Sequence, residues 1–396
     1  MKPRTFNRRD WMRTTVLTAG GIGMIPVSGL CETPRAPLQI NPAGEALYSP
    51  FFREYLPKAP RPTALAAKLN ANENPYGPSA KAREALGAAA ANGNRYAWRD
   101  LMGLIDSIAE LEGVAPENII TGPGSSDLLE KTAMVFFRDG GNVVSADPSY
   151  MSLIQVAKAC GADWKPVPLK TDWSHDLDAM EAAIDEQTRL VYICNPNNPT
   201  GTLTPADALL KFCDRVADQV PVFVDEAYLG FLEPEARQSM VSLVAKGKNV
   251  IVARTFSKIH GMAGLRVGYA VALPETLERI NAITRGGMGI SGPSIAAAAA
   301  SMSDEAFLAE CRSLNSSVRK HVFETLQELG HQPVPSYTSF MIFPIEMEGR
   351  EFLSRMTALD VGVRAFRFMD QNWCRVSMGT RAEMDLFLDA VRKTLV

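Results

Sequence analysis

The chain has 396 residues, with 41 basic against 44 acidic side chains and a formal net charge of -3. That length suits two domains, or three small ones. A content of 46% hydrophobic and 21% charged residues is that of a globular protein with a large core, which excludes a disordered chain, a fibre and a multi-span membrane protein. The near-neutral balance also excludes a nucleic-acid binder working through a basic face. Six cysteines contain no CxxC pair and four histidines are scattered, so neither a disulfide framework nor a metal site is expected.

In chain order, Lys2, Arg4, Arg8, Arg9 and Arg13 come first, followed by an uncharged stretch from Thr14 to Cys31. A basic region leading into a modestly apolar segment is the layout of an export signal. The string from Asn7 to Arg13, with Arg8 and Arg9 before Trp11, resembles a twin-arginine signal. Gly20, Gly21, Gly23, Pro26 and Gly29 make the stretch a poor membrane helix. Residues 1–30 are therefore expected to direct the protein to the periplasm. An N-terminal arm is expected over 31–75, a large domain over 76–300 and a small one over 301–396.

From about residue 65 strands and helices alternate. Strands are predicted near 118–121, 142–146, 164–169, 189–194, 221–225, 249–253 and 265–273. Helices are predicted over 127–137, 150–160 and 205–217, the last with Thr204 as N-cap and Pro205 in its first turn. Runs such as Leu190–Cys194 are continuously apolar, as in a strand buried on both faces. This alternation predicts an α/β fold with a mostly parallel sheet covered by helices on both faces. A long amphipathic helix from Ser303 to Leu329 leads to a smaller α+β unit, with strands near 339–344, 361–366 and 374–378 and a final helix from Arg381.

In open α/β sheets ligands bind at the carboxyl ends of the strands, so the polar residues there are the candidates. The first strand runs into Gly122-Pro123-Gly124-Ser125-Ser126-Asp127 at a helix start, where free N–H groups and two hydroxyls can cradle a phosphate. Ser126 or Asp127 fits equally well as a simple N-cap. The string Gly287–Gly292 matches a dinucleotide fingerprint formally but follows no strand, which removes that reading. Other strand ends carry Asn195–Gly201, then Asp225 through Tyr228, then Arg254 through Lys258, with Arg266 beyond. A carboxylate directly after Val222–Val224 is costly to bury without a cationic partner. An acid, a phenol, a lysine, hydroxyls and an arginine thus converge on one edge, the set required by a pyridine ring bearing a phenolate, an aldehyde and a phosphate.

Taken in order, Leu69–Pro78 (LNANENPYGP), Asn94-Arg95-Tyr96, Asn197–Gly201, Asp225–Tyr228, Ser257-Lys258 and Gly264–Tyr269 resemble the fold-type I, pyridoxal-phosphate-dependent aminotransferases of class I/II, in particular the histidinol-phosphate aminotransferase group. The resemblance covers about residues 60–396. It implies that Lys258 links covalently to pyridoxal 5'-phosphate and shuttles the proton, and that Asp225 pairs with the ring nitrogen. Tyr228 and Asn198 would bond the phenolate oxygen, and Tyr150 would stack on the ring. Gly124, Ser125, Ser126, Thr255, Ser257 and Arg266 would form the phosphate site. Tyr96 would reach it from a neighbouring subunit, making a homodimer the active unit. Arg375, together with Arg364 or Arg367, would hold the substrate's carboxylate or phosphate. The implied activity moves an amino group between an amino acid and a keto acid or histidinol-phosphate-like acceptor. A decarboxylase resembling the threonine-phosphate enzymes and a non-enzymatic cofactor-binding protein are the alternatives.

Overall fold

The computed structural model describes residues 39–57, 64–283 and 286–395. The predicted signal segment, with Arg8, Arg9 and Cys31, lies outside the described residues. The described residues form one compact unit.

Fifteen short strands are described: β1 Gln39–Ile40, β2 Glu45–Leu47, β3 Arg53–Tyr55, β4 Ala67–Lys68, β5 Ile119–Gly122, β6 Asn142–Asp147, β7 Asp163–Pro168 and β8 Thr188–Cys194, followed by β9 Val222–Asp225, β10 Val250–Thr255, β11 Gly268–Val271, β12 Phe340–Ile345, β13 Val361–Gly362, β14 Arg364–Phe368 and β15 Gln371–Ser377. The large sheet has seven strands in the order β5-β11-β10-β9-β8-β6-β7. β11 alone runs opposite to the other six strands. Residues of β6, β8, β9 and β10 are almost wholly buried, because helices cover both faces of the sheet. One apolar cluster, including Val191, Val224 and Val252, fills one side, and another, including Tyr192, Phe223 and Ile251, fills the other. Alternating residues of the same strands thus feed two cores, as period-2 geometry requires.

A second sheet, β1-β2-β3-β14-β15-β12, joins the N-terminal arm to the C-terminal part. The pairing of β3 with β14 sets Glu54 opposite Phe366 and Ala365 opposite Tyr55. The 24-residue helix Glu305–Glu328 leads into this half of the chain.

Three local expectations shift. The helix after β8 begins at Ala206 with Pro205 as its N-cap, and Thr204 does not cap it. Its hydroxyl instead meets the backbone N–H of His175 at 3.0 Å and the His175 ring Nδ1 at 2.6 Å. The strand expected over 265–273 shortens to β11, because Ala263–Leu265 forms a turn and Arg266 adopts φ 53. The helix expected from Tyr150 starts at Ser152, leaving Tyr150 in the loop that follows β6.

Candidate active site

A cavity of about 330 Å³ opens at the carboxyl ends of β5, β6, β8, β9 and β10. Its wall includes Ser125, Ser126, Tyr150, Asn198, Asp225, Tyr228, Thr255, Ser257, Lys258, Arg266, Arg364 and Arg375. Chain-distant strand ends therefore meet in one place, as the sheet topology dictates.

Lys258 follows β10. Its Nζ donates to the Asn72 carbonyl oxygen at 3.1 Å and lies 5.5 Å from the centre of the Tyr228 ring. Burial and then the nearby Arg375 charge push its amine down to about 8. Asp225 ends β9. It accepts the Ala227 backbone N–H at 3.1 Å and a 3.4 Å bond from the Tyr192 hydroxyl. Burial raises its carboxyl to about 6, because these two neutral donors do not offset the loss of water. Such a group is poised for a cationic partner. Tyr228 accepts from Asn72 Nδ2 at 3.0 Å, and burial pushes its phenol up.

Arg375 lines the cavity, 3% exposed, beside the Phe340 and Phe366 rings. It donates to Asn198 Oδ1 at 2.7 Å and to the Asn70 carbonyl at 3.4 Å, while its buried Nε has no partner. Burial, and then Arg364, lower its guanidinium to about 10, so it stays charged at neutral pH. Of the two arginines on β14, Arg364 lines the cavity. Burial works against its charge, but the Glu54 carboxylate outweighs that and raises its pKa.

Also on the cavity wall, the helix Ser125–Phe136 presents its N-terminus without a side-chain cap. Gly124 is the N-cap, so neither Ser126 nor Asp127 plays that part. Gly124 has φ 86, and a Cβ there would fall 2.1 Å from Arg266 Nη2. The glycine therefore admits the arginine, which itself donates to Ser257 Oγ at 3.2 Å and to the Pro123 carbonyl at 3.1 Å. Uncapped N–H groups, the four hydroxyls of Ser125, Ser126, Thr255 and Ser257, and a guanidinium make an anion cup. Ser126 Oγ lies 3.2 Å from the Tyr150 hydroxyl, tying the cup to the aromatic wall.

Two predicted residues stand apart from the cavity. Tyr96 is 81% exposed beside Trp98, and Arg367 is absent from the cavity wall. Conversely, Asn72, Tyr48 and Glu54 join the site without a role having been read for them. The signal for Asn72 was present in the Asn-rich string Leu69–Asn74, whereas Glu54 arrives through the pairing of β3 with β14 and Tyr48 through its hydroxyl bond to Glu54.

A family model described as "Aminotransferase class I and II" matches residues 66–391. A histidinol-phosphate aminotransferase from Moorella thermoacetica is 37% identical over 330 residues, covering 83% of this chain and 85% of the relative. Among solved structures, a putative histidinol-phosphate aminotransferase from Erwinia carotovora atroseptica superposes with a TM-score of 0.79 at 32% identity, covering 84% of this chain and 97% of its own. The histidinol-phosphate aminotransferase of Sinorhizobium meliloti, solved with pyridoxal-5'-phosphate, gives a TM-score of 0.78 at 29% identity, with 84% and 91% covered.

Proposed function

This chain belongs to the class I and II aminotransferases and is a pyridoxal-phosphate-dependent transaminase of fold type I, in which, we propose, Lys258 carries the covalent link to the cofactor and moves the substrate proton. The observation that carries this assignment is the convergence of Lys258, Asp225 and Arg266 on one cavity.

The residues present fit the cofactor. The uncapped N-terminus of Ser125–Phe136, with Ser125, Ser126, Thr255, Ser257 and Arg266, suits its phosphate. Asp225, buried with only neutral donors, suits a protonated ring nitrogen. Tyr228 and Asn198 offer polar groups for the phenolate oxygen, and Tyr150 an aromatic face for the ring.

When bound, the cofactor supplies an electron sink for the charge that develops at the substrate Cα. Asp225 would pair with the ring nitrogen and favour its protonated form, which is what that sink requires. Lys258 Nζ would hold the cofactor through its aldehyde and, when free, would be the base placed to take and return the substrate proton. Its lowered pKa leaves the amine able to accept a proton near neutrality. Arg375 holds the substrate carboxylate in the charge-assisted grip that its unpartnered Nε leaves open. Asn72 orients Tyr228 and, through its carbonyl, the lysine.

The test is a single turnover of the holoenzyme with an L-amino acid, following the change in cofactor absorbance and the keto acid released. Lys258→Ala should abolish both. Keto acid production by that variant at the native rate would remove Lys258 from the mechanism.

The active unit in this reading is a homodimer, supported by the exposed Tyr96, Trp98 and Met102. The Arg8-Arg9 string supports export to the periplasm by the twin-arginine route, which carries folded, cofactor-loaded proteins. Fusing residues 1–40 to a reporter, with Arg8 and Arg9 changed to lysine as control, checks this. A reporter retained in the cytoplasm with both native arginines rejects export.

A further inference from the structure

Next to the main cavity, and sharing Tyr150, Asn198, Arg364 and Arg375 with it, lies a second space of about 190 Å³. Tyr48, Phe52, Met151 and Phe366 form the apolar part of its lining, Ser149, Ser152 and Gln155 are uncharged polar neighbours, and one acid enters it, Glu54. Glu54 is 5% exposed and engaged on both oxygens. Its Oε1 accepts from Arg364 Nε at 2.6 Å and also contacts Arg364 Nη2, and its Oε2 accepts from the Tyr48 hydroxyl at 2.6 Å. Arg364 is therefore already matched by a carboxylate from the N-terminal arm. Arg375 has only neutral partners and an unused donor.

We propose that Glu54 sets the substrate class: it neutralises Arg364 on the wall shared by the two spaces, so that the enzyme takes amino acids with uncharged aromatic or apolar side chains and rejects those ending in a phosphate. An α-carboxylate has Arg375 to itself. A phosphate dianion drawn to Arg364 would either sit against the Glu54 carboxylate or displace it, and a displaced Glu54 would stay buried with only Tyr48. Discrimination here comes from a repulsive group as much as from an attractive one. The aromatic lining gives an uncharged ring the contact area that the ion pair does not obstruct.

This proposal rests on the transaminase reading, so L-alanine serves as the control for that reading. With wild-type holoenzyme, single-turnover kcat/KM should favour L-phenylalanine over L-histidinol phosphate by at least about tenfold. Glu54→Gln keeps the shape and removes the charge, and should move that ratio toward the phosphate by about tenfold or more, with cofactor absorbance and melting temperature reporting an intact fold. A wild-type preference for L-histidinol phosphate overturns the proposal whether or not the variant folds. So does an unmoved ratio in folded Glu54→Gln, and if L-alanine still turns over in either case, the transaminase reading stands. Failure of all three donors to convert the cofactor overturns both.

Discussion

At the residue scale, the lysine carries the chemistry and its surroundings set the pH at which it works. Burial lowers Lys258 to about 8 from an ordinary 10.5. The charged form is the one disfavoured, so the amine becomes nucleophilic as pH rises through 8. Covalent capture of pyridoxal phosphate by the cofactor-free enzyme should therefore accelerate about tenfold per pH unit below 8 and level off above it. Stopped-flow absorbance measures this, and acceleration continuing to pH 10 would contradict it. Lys258→Ala should still bind the cofactor non-covalently, because the anion cup and Asp225 are untouched, and equilibrium dialysis will detect the retained affinity. Arg266 depends in turn on a missing side chain. Gly124→Ala places a methyl 2.1 Å from Arg266 Nη2 on a backbone at φ 86. Cofactor affinity should fall at least about tenfold, the equivalent of about 1.4 kcal/mol, and unchanged affinity by titration would show that Arg266 is dispensable.

At the element scale, the strands of the N-terminal arm, and their partners, are what the sequence did not reveal. The buried strands and the residues ending them were legible, because apolar runs such as Leu190–Cys194 have one structural solution and a polar group after such a run needs a partner. Strands of two or three residues, such as β2 and β3, carry too little periodicity to be recognised, and their place beside β14 is a long-range fact. Thr204 failed as a cap for a similar reason, since its hydroxyl is claimed by His175, which is distant in sequence. The arm is held by Ser49, whose hydroxyl donates to Asp147 Oδ2 at 2.7 Å, while Asp147 Oδ1 stays buried without a partner. Burial raises this carboxyl from 3.8 to about 6. The folded state thus binds the proton more tightly, and stability falls as pH rises from about 4 to 6, by about 3 kcal/mol when complete. Asp147→Asn keeps the acceptor and removes that cost. Thermal melts should show stabilisation at pH 8 and almost none at pH 4, and equal shifts at both would contradict the account.

At the scale of the whole molecule, two sheets built from distant parts of the chain bring a cofactor site and a substrate site together. The seven-stranded sheet supplies Asp225 and Lys258, and the six-stranded sheet supplies Arg364, Arg375 and, from the arm, Glu54. Tyr96 projects from this unit, 81% exposed, and in the dimer reading it completes the phosphate cup of a second copy. Sedimentation should give twice the chain mass, and Tyr96→Phe should weaken cofactor retention without dissociating the dimer. A monomer with full activity would reject that arrangement. The most direct test of the central claim is borohydride reduction of the holoenzyme followed by peptide mass analysis. The account predicts one modified peptide with the cofactor on Lys258, and a cofactor fixed to any other lysine, or to none, would contradict it.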